Sequence, residues 1–272
     1  MNAPSFPNSA VIRALERLVL RGGRWAQIDI PVRYGIWLHP RFGPVLIDTG
    51  YSRRATEGGD RSRPLKMYAA LMRAQLIEAS APLQQLHAMG FGPDDVTRIV
   101  VTHFHADHIA GLGDFPKASF VASGAAFDEL SRMTSRQQLR HVFFPELLPT
   151  DFSERLLRVE DGGRVALPGG LGEGFDIFGD GSLCAVPLPG HAIGHFGLLW
   201  PQQSLLYAVD TQWLSQAIME RRAPSGPARL IYSDGAAAIA SCEKVREFAM
   251  QGGRVVLCHD PTPLEAPHRS KT

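Results

Sequence analysis

Short runs of β-branched and apolar residues separated by Gly, Pro and Asp dominate the chain, and few stretches carry the spacing of an amphipathic helix. From Ile28 to Asp48 the apolar segments IDIPVRYGIWLHP and VLIDTG flank the turn-like His39-Pro40-Arg41-Phe42-Gly43-Pro44, a pattern that predicts a β-hairpin. Tyr51 to Pro64 is rich in Arg, Gly and Ser without apolar periodicity and reads as an exposed loop. Leu65 to Met89 reads as helix, with Leu71, Ile77, Leu83 and Leu86 among Ala, Gln and Met and Pro82 breaking it in two. Thr97 to Thr102 is a buried strand ending in a histidine-rich turn, Ala118 to Ser123 another strand, and Ala125 to Leu139 a helix. His141 to Phe152 is apolar, aromatic and broken by prolines, as suits a lid or pocket wall. Beyond Arg164 strands dominate, in VALPG, FDIFGD, CAVPLPGH, HFGLLW and SLLYAVD, followed by a helix over Ala236 to Gln251 and a last strand over Arg254 to Cys258.

No solenoid repeat and no long linker interrupts this order, so residues 1–272 read as a single α/β domain of two layered sheets with helices outside. A lid insertion is expected near 131–160 and a loose tail over 261–272. With 272 residues, 44% of them hydrophobic, the chain can bury a sizeable core. A net charge of +1 offers no field to hold nucleic acid or an anionic membrane. Cys184, Cys242 and Cys258 are too few for a disulfide framework, the N-terminus has no secretory pattern, and no apolar run is long enough to span a bilayer. A cytoplasmic protein acting on a small molecule, as monomer or homodimer, is expected.

His103, His105, Asp107 and His108 fall within six residues at the end of a predicted strand. Buried imidazoles and carboxylates cost several kcal/mol unless paired or metallated, so a metal site explains the cluster better than packing does. Residues two apart on a strand end share a face, so His103 and His105 can converge on one ion, while Asp107 and His108, turned into the following helix, can serve a second ion nearby.

The HxHxDH run resembles the signature of the metallo-β-lactamase superfamily, a family of metallohydrolases built as a four-layer αββα sandwich. The downstream pieces follow in the superfamily's order: Pro189-Gly190-His191-Ala192-Ile193-Gly194-His195, then Asp210 closing an apolar strand, then His259 after the last strand. Upstream, Val45-Leu46-Ile47-Asp48-Thr49-Gly50 is similar to the superfamily's D-x-G hairpin end. The resemblance covers roughly residues 28–260. It implies that His103, His105 and His191 hold one metal ion, that Asp107, His108 and His259 hold another, and that Asp210 bridges them. Zinc is expected at both positions, with iron, manganese or cobalt as alternatives for such N and O donors. Asp48 is expected to accept the imidazole N–H of a ligand, and His195 to be a buried, hydrogen-bonded histidine rather than a ligand. Cys258 is expected in the core, because adjacent strand residues face opposite ways. His39, His87, His141 and His268 show no ligand spacing.

Length, hairpin and ligand set resemble most the acyl-homoserine lactonase branch, which opens the lactone rings of bacterial quorum signals. That branch commonly carries a tyrosine three residues after the bridging aspartate, where this chain has Trp213, whose indole donates a hydrogen bond but cannot titrate. The resemblance implies hydrolysis by metal-activated water without a covalent intermediate, with Asp107 as catalytic proton carrier. Phe143, Phe144, Leu147, Leu148 and Phe152, with Trp213 and Met219, are candidates to line the substrate pocket. Tyr34, Tyr207, Tyr232 and Ser233 are further polar groups that can face it. Alternatives are a phosphodiesterase, drawing positive charge from Arg53, Arg54, Arg61 and Arg63, an aryl ester or thioester hydrolase of the same fold, and a regulatory protein that binds a small ligand without turnover.

Overall fold

A computed structural model describes residues 3–264. His268 and residues 265–272 of the expected tail lie outside the described residues. The strands run β1 Asn8–Leu15, β2 Gln27–Arg33, β3 Gly35–His39, β4 Gly43–Ile47, β5 Gln75–Leu76, β6 Arg98–Val100, β7 Ser119–Ala122, β8 Leu156–Arg158, β9 Gly163–Leu167, β10 Gly172–Asp176, β11 Cys184–Pro187, β12 Phe196–Trp200, β13 Leu205–Val209 and β14 Arg254–Leu257. They form a five-stranded sheet in the order β3-β4-β6-β7-β8, a six-stranded sheet in the order β14-β13-β12-β11-β10-β9, and a small sheet β2-β1-β5.

β4, β6, β7 and β8 are mutually parallel, and the continuous apolar runs of β6 and β7 are what strands covered on both faces require. The six-stranded sheet is antiparallel except where β14 joins β13 in parallel. Side chains from both large sheets meet in one core that includes Val45, Ile47, Ile99, Phe120, Leu198 and Tyr207. Trp37 and Trp200 meet edge to face within it, ring centroids 5.9 Å apart. The alternate residues of β11–β13, Val186, Leu199, Leu206 and Ala208, point the other way and pack with Val245 and Phe248 of the helix Gly235–Met250. Two sheets thus lie face to face, with the helix Gly235–Met250 packed on the outer side of the six-stranded one. Among the described residues no helix is long and apolar enough to cross a membrane.

Several local expectations shift. The hairpin is β3–β4 alone; β2 precedes it and pairs with β1, a strand the apolar pattern did not single out. The predicted 65–89 helix ends at Met72, where Arg73 takes a left-handed conformation (φ 49°), and Pro82 opens the second helix, Pro82–Ala88, instead of breaking one. The 125–139 helix divides into Gly124–Arg132 and Ser135–Arg140, the second starting where Thr134 donates its N–H and hydroxyl to Gln137 Oε1. The 131–160 segment is tied at its far end by β8, which is hydrogen-bonded into the sheet beside β7.

β2 also fixes the end of the chain. Arg33 is buried and donates to the carbonyls of Leu257 (3.1 Å), Thr262 (3.2 Å) and Asp260. Its own carbonyl accepts from Tyr207 Oη at 3.2 Å. The first residues of the expected loose tail are thus held. Arg33→Met removes the donors and leaves buried carbonyls unpaired. Urea unfolding should show a loss of about 2–4 kcal/mol, and a loss below about 1 kcal/mol would contradict the clamp.

Candidate metal centre

The histidine turn begins where β6 ends. His105 precedes a single helical turn, Ala106–Ile109, so the chain reverses sharply and His103, His105, Asp107 and His108 are all buried. Thr49 holds this turn: its N–H and hydroxyl donate to the His108 carbonyl at 2.8 and 2.9 Å. His191 lies between β11 and β12, Asp210 directly follows β13, and His259 follows β14, so strand ends of both large sheets meet at one place. Gly190 carries the approach of the His191 loop to the helix Gly235–Met250. At φ 124° it leaves no room for a side chain, since a Cβ would lie 2.1 Å from the Ala238 nitrogen. Val209, just before Asp210, is a β-branched residue at φ 51°, at a shift in the β13–β14 register. That strained conformation turns the carboxylate inward.

The donor atoms fall into two groups sharing Asp210: His103, His105, His191 and Asp210, and His108, Asp210, Cys258 and His259, each with its donors within 4.8 Å of one another. Asp107 Oδ2 lies 3.4 Å from His259 Nε2 and 3.7 Å from His108 Nε2. Outside the cluster, each of three rings has a nitrogen tied. His108 Nδ1 meets Asp48 Oδ2 at 2.8 Å, His259 Nδ1 meets the Pro31 carbonyl at 2.8 Å, and His103 Nδ1 meets Thr102 Oγ1 at 3.2 Å. Their Nε2 atoms therefore face inward. His103 Nε2, His108 Nε2, His191 Nδ1 and Asp210 Oδ1 are buried without a hydrogen-bond partner. Orphaned buried nitrogens beside a carboxylate are what a metal-binding set looks like without its ion.

Burial pushes the His103 and His105 imidazoles well below their ordinary range, toward the neutral form that can ligate. For His108 and His259 burial acts the same way, but the carboxylates around them win and push both up. Burial opposes ionisation of Asp107 as well, yet His108 and His259 hold it down to about 2. His195 is brought beside the set and not into it. Its Nδ1 donates to the Leu188 carbonyl (2.7 Å), its Nε2 accepts from the Asp210 N–H (3.3 Å), and burial lowers it to about 3. Asp48 also accepts from the Thr102 N–H at 2.8 Å. Cys258 is in the core, yet its sulfur reaches the second group, because β14 ends at Leu257 and strand alternation no longer applies.

The cluster forms the floor of a cavity of about 660 Å³ whose walls are mostly apolar. Ile12, Leu15 and Ile30 line it from the small sheet and its end, Met67, Tyr68, Leu71 and Met72 from the helix Arg63–Met72, and Leu139, Val142 and Trp213 from the remaining side. Phe143, Phe144 and Leu147, expected on this wall, are buried instead in the main core with Phe152 and do not line the cavity. Met219 is half exposed away from the cavity. None of Arg53, Arg54, Arg61 and Arg63 lines it; Arg53 pairs with Glu78 and Arg54 with Asp114. Tyr34 and Tyr207 spend their hydroxyls on the Ser80 and Arg33 carbonyls, Ser233 on the Gly190 carbonyl, and the Tyr232 ring lies 6.0 Å from that of His191. The helix wall went unread in the sequence, although Met67, Tyr68, Leu71 and Met72 carry the i, i+1, i+4, i+5 spacing of one helix face.

Fold and donor set together define a metallohydrolase site. The chain matches the metallo-beta-lactamase superfamily over residues 43–248 and belongs to that superfamily. It is 28% identical over 259 residues to the N-acyl homoserine lactonase AttM of Azorhizobium caulinodans, covering 91% of this chain and 88% of that protein. It is 26% identical, over the same shares, to the protein of that name from Agrobacterium fabrum. Among solved structures, an N-acyl homoserine lactone hydrolase with the product N-hexanoyl-L-homoserine at its catalytic metal center has the same fold. The TM-score is 0.66 at 18% identity, covering 95% of this chain and 93% of that chain. AidC, a dizinc quorum-quenching lactonase, gives a TM-score of 0.61 at 17% identity, covering 94% and 86%.

The Asp48–His108 bond gives a direct prediction. Asp48→Asn should weaken divalent metal binding at this cluster about 10- to 100-fold in competition with a chromophoric chelator. Affinity within twofold of the wild type would show that Asp48 does not support the site.

Proposed function

We propose that the protein is a dinuclear zinc hydrolase that opens the ring of N-acyl homoserine lactones. The observation that carries this reading is the apolar cavity of about 660 Å³ ending on the buried His/Asp cluster. It offers room for an acyl chain above groups suited to ester hydrolysis. The kinship with proteins named N-acyl homoserine lactonase supports it.

In this reading His103, His105 and His191 would hold one ion, Asp107, His108 and His259 the other, with Asp210 shared between the two groups. Imidazole and carboxylate donors suit zinc. Divalent ions, when bound there, would supply a water nucleophilic near neutral pH and a charge that polarises the ester carbonyl. The apolar wall from Ile12 to Ile30 and the helix face of Met67, Leu71 and Met72 hold the acyl group and exclude bulk water from the reacting carbon. Asp107, an ionised carboxylate at the cavity floor, would accept the proton that the attacking water loses and return it to the departing oxygen. Asp48 and His195 orient the donors. Residues 131–160 cover the cavity as part of the single domain, through Leu139 and Val142. All three cysteines are free, as a cytoplasmic protein's would be. Phosphodiester hydrolysis is the weaker reading, since the arginine loop does not line the cavity.

Zinc-loaded protein should hydrolyse N-acyl homoserine lactones, favouring longer acyl chains, when ring opening is followed by proton release. Asp107→Asn should lower kcat about 10²- to 10⁴-fold. Turnover of a bis-aryl phosphodiester with no lactone turnover would replace the lactonase assignment, and an Asp107→Asn variant at full rate with its metals bound would remove the proton-carrier role.

A further inference from the structure

Among the five tyrosines of the chain, all within the described residues, Tyr68 is the one that lines the cavity. It sits in the middle of the helix Arg63–Met72, its ring 5.2 Å from that of Phe144, and its hydroxyl lies 2.6 Å from the hydroxyl of Tyr51. The two phenols are not equivalent. Tyr51 is 3% exposed, lies behind Tyr68 and does not reach the cavity, whereas Tyr68 is half-buried on its wall. A buried hydroxyl must spend its proton on an available acceptor, and the acceptor for Tyr51 is the Tyr68 oxygen. That arrangement leaves the Tyr68 proton free to point into the cavity.

We propose that Tyr68, oriented by Tyr51, is a catalytic hydrogen-bond donor to the oxygen that departs when the ester C–O bond breaks. This rests on the hydrolase reading above. Burial raises the Tyr68 phenol, and the Asp107 carboxylate adds to the effect, so the group remains a neutral donor at working pH. Asp107, Asp210 and His259 line the same cavity as Tyr68. Water adds to the carbonyl carbon, and the C–O bond then breaks with its electron pair on the departing oxygen. The proton lost by the water reaches that oxygen through Asp107, and Tyr68 keeps its own proton throughout. Its contribution is to stabilise negative charge before the proton arrives.

The test compares leaving groups at a fixed acyl group: N-hexanoyl homoserine lactone and ethyl hexanoate, whose departing alkoxides are strongly basic, against 4-nitrophenyl hexanoate, whose departing phenolate needs little help. Tyr68→Phe should lower kcat roughly 30- to 100-fold on the first two and less than about threefold on the third. Zinc content and melting temperature should stay at the wild-type values. Tyr51→Phe should show the same pattern at about a fifth of the size or less, since the Tyr68 donor survives without its orienting partner. Calorimetry supplies a readout apart from turnover: ring-opened N-hexanoyl-homoserine, whose hydroxyl is the former departing oxygen, should bind the Tyr68→Phe protein about tenfold more weakly. Equal losses on all three esters, or a loss below twofold on the alkyl ester with product binding unchanged, would overturn the role. A wild type that cleaves the alkyl ester but not the lactone would sink the lactone assignment, while the leaving-group pattern would still decide for or against Tyr68.

Discussion

Asp210 is 2% exposed, and its Oδ2 lies 3.3 Å from ring nitrogens of His191 and His259, 3.4 Å from His108 and 3.8 Å from His103. Four imidazoles cannot all be protonated around one carboxylate without strong mutual repulsion. Nor can they all remain neutral and unpaired out of water without a large desolvation penalty. A bound metal ion would resolve both problems, because it accepts several lone pairs and supplies the charge that the carboxylates demand. Much of the architecture can be understood as the means of holding these groups together until such ions arrive.

The two large sheets divide that task. The five-stranded sheet delivers the histidine turn after β6 and, through Asp48 at the end of β4, the acceptor that fixes the His108 ring. The six-stranded sheet delivers His191, Asp210 and His259 from beyond the ends of β11, β13 and β14. Two of the non-glycine residues at positive φ lie at the same place, Asp48 at 55° and Val209 at 51°. Conformations of this kind cost on the order of 1–3 kcal/mol each and persist only where surrounding contacts over-determine them. Here those contacts are the Cys258 N–H to the Val209 carbonyl at 2.9 Å and the Asp48 N–H to the Val100 carbonyl at 2.8 Å. The small third sheet has a different role, since β1 and β2 wall the cavity and Arg33 of β2 clamps the backbone beside His259.

The parts legible in the sequence were those set by local chemistry. His103, His105, Asp107 and His108 sit so close together that no packing account explains them, and the strands of the second sheet are marked by Gly and Pro turns at regular intervals. The cavity wall was less legible, because a helix face of Met67, Tyr68, Leu71 and Met72 has the same composition whether it meets core or open space. For the same reason Phe143, Phe144 and Leu147 read as pocket and proved to be core. The early end of the Arg63–Met72 helix depends on a left-handed arginine that no propensity marks. Tyr51 and Tyr68 are 17 positions apart, and only the fold joins their hydroxyls.

Element-resolved metal analysis of the purified protein, before and after incubation with zinc and dialysis, tests the central claim most directly. The account predicts about two divalent ions per chain, retained through dialysis and removed only by a strong chelator. A protein that carries no metal and takes up none would contradict it, since the buried imidazole nitrogens and the Asp210 carboxylate would then lack the partner on which the site depends.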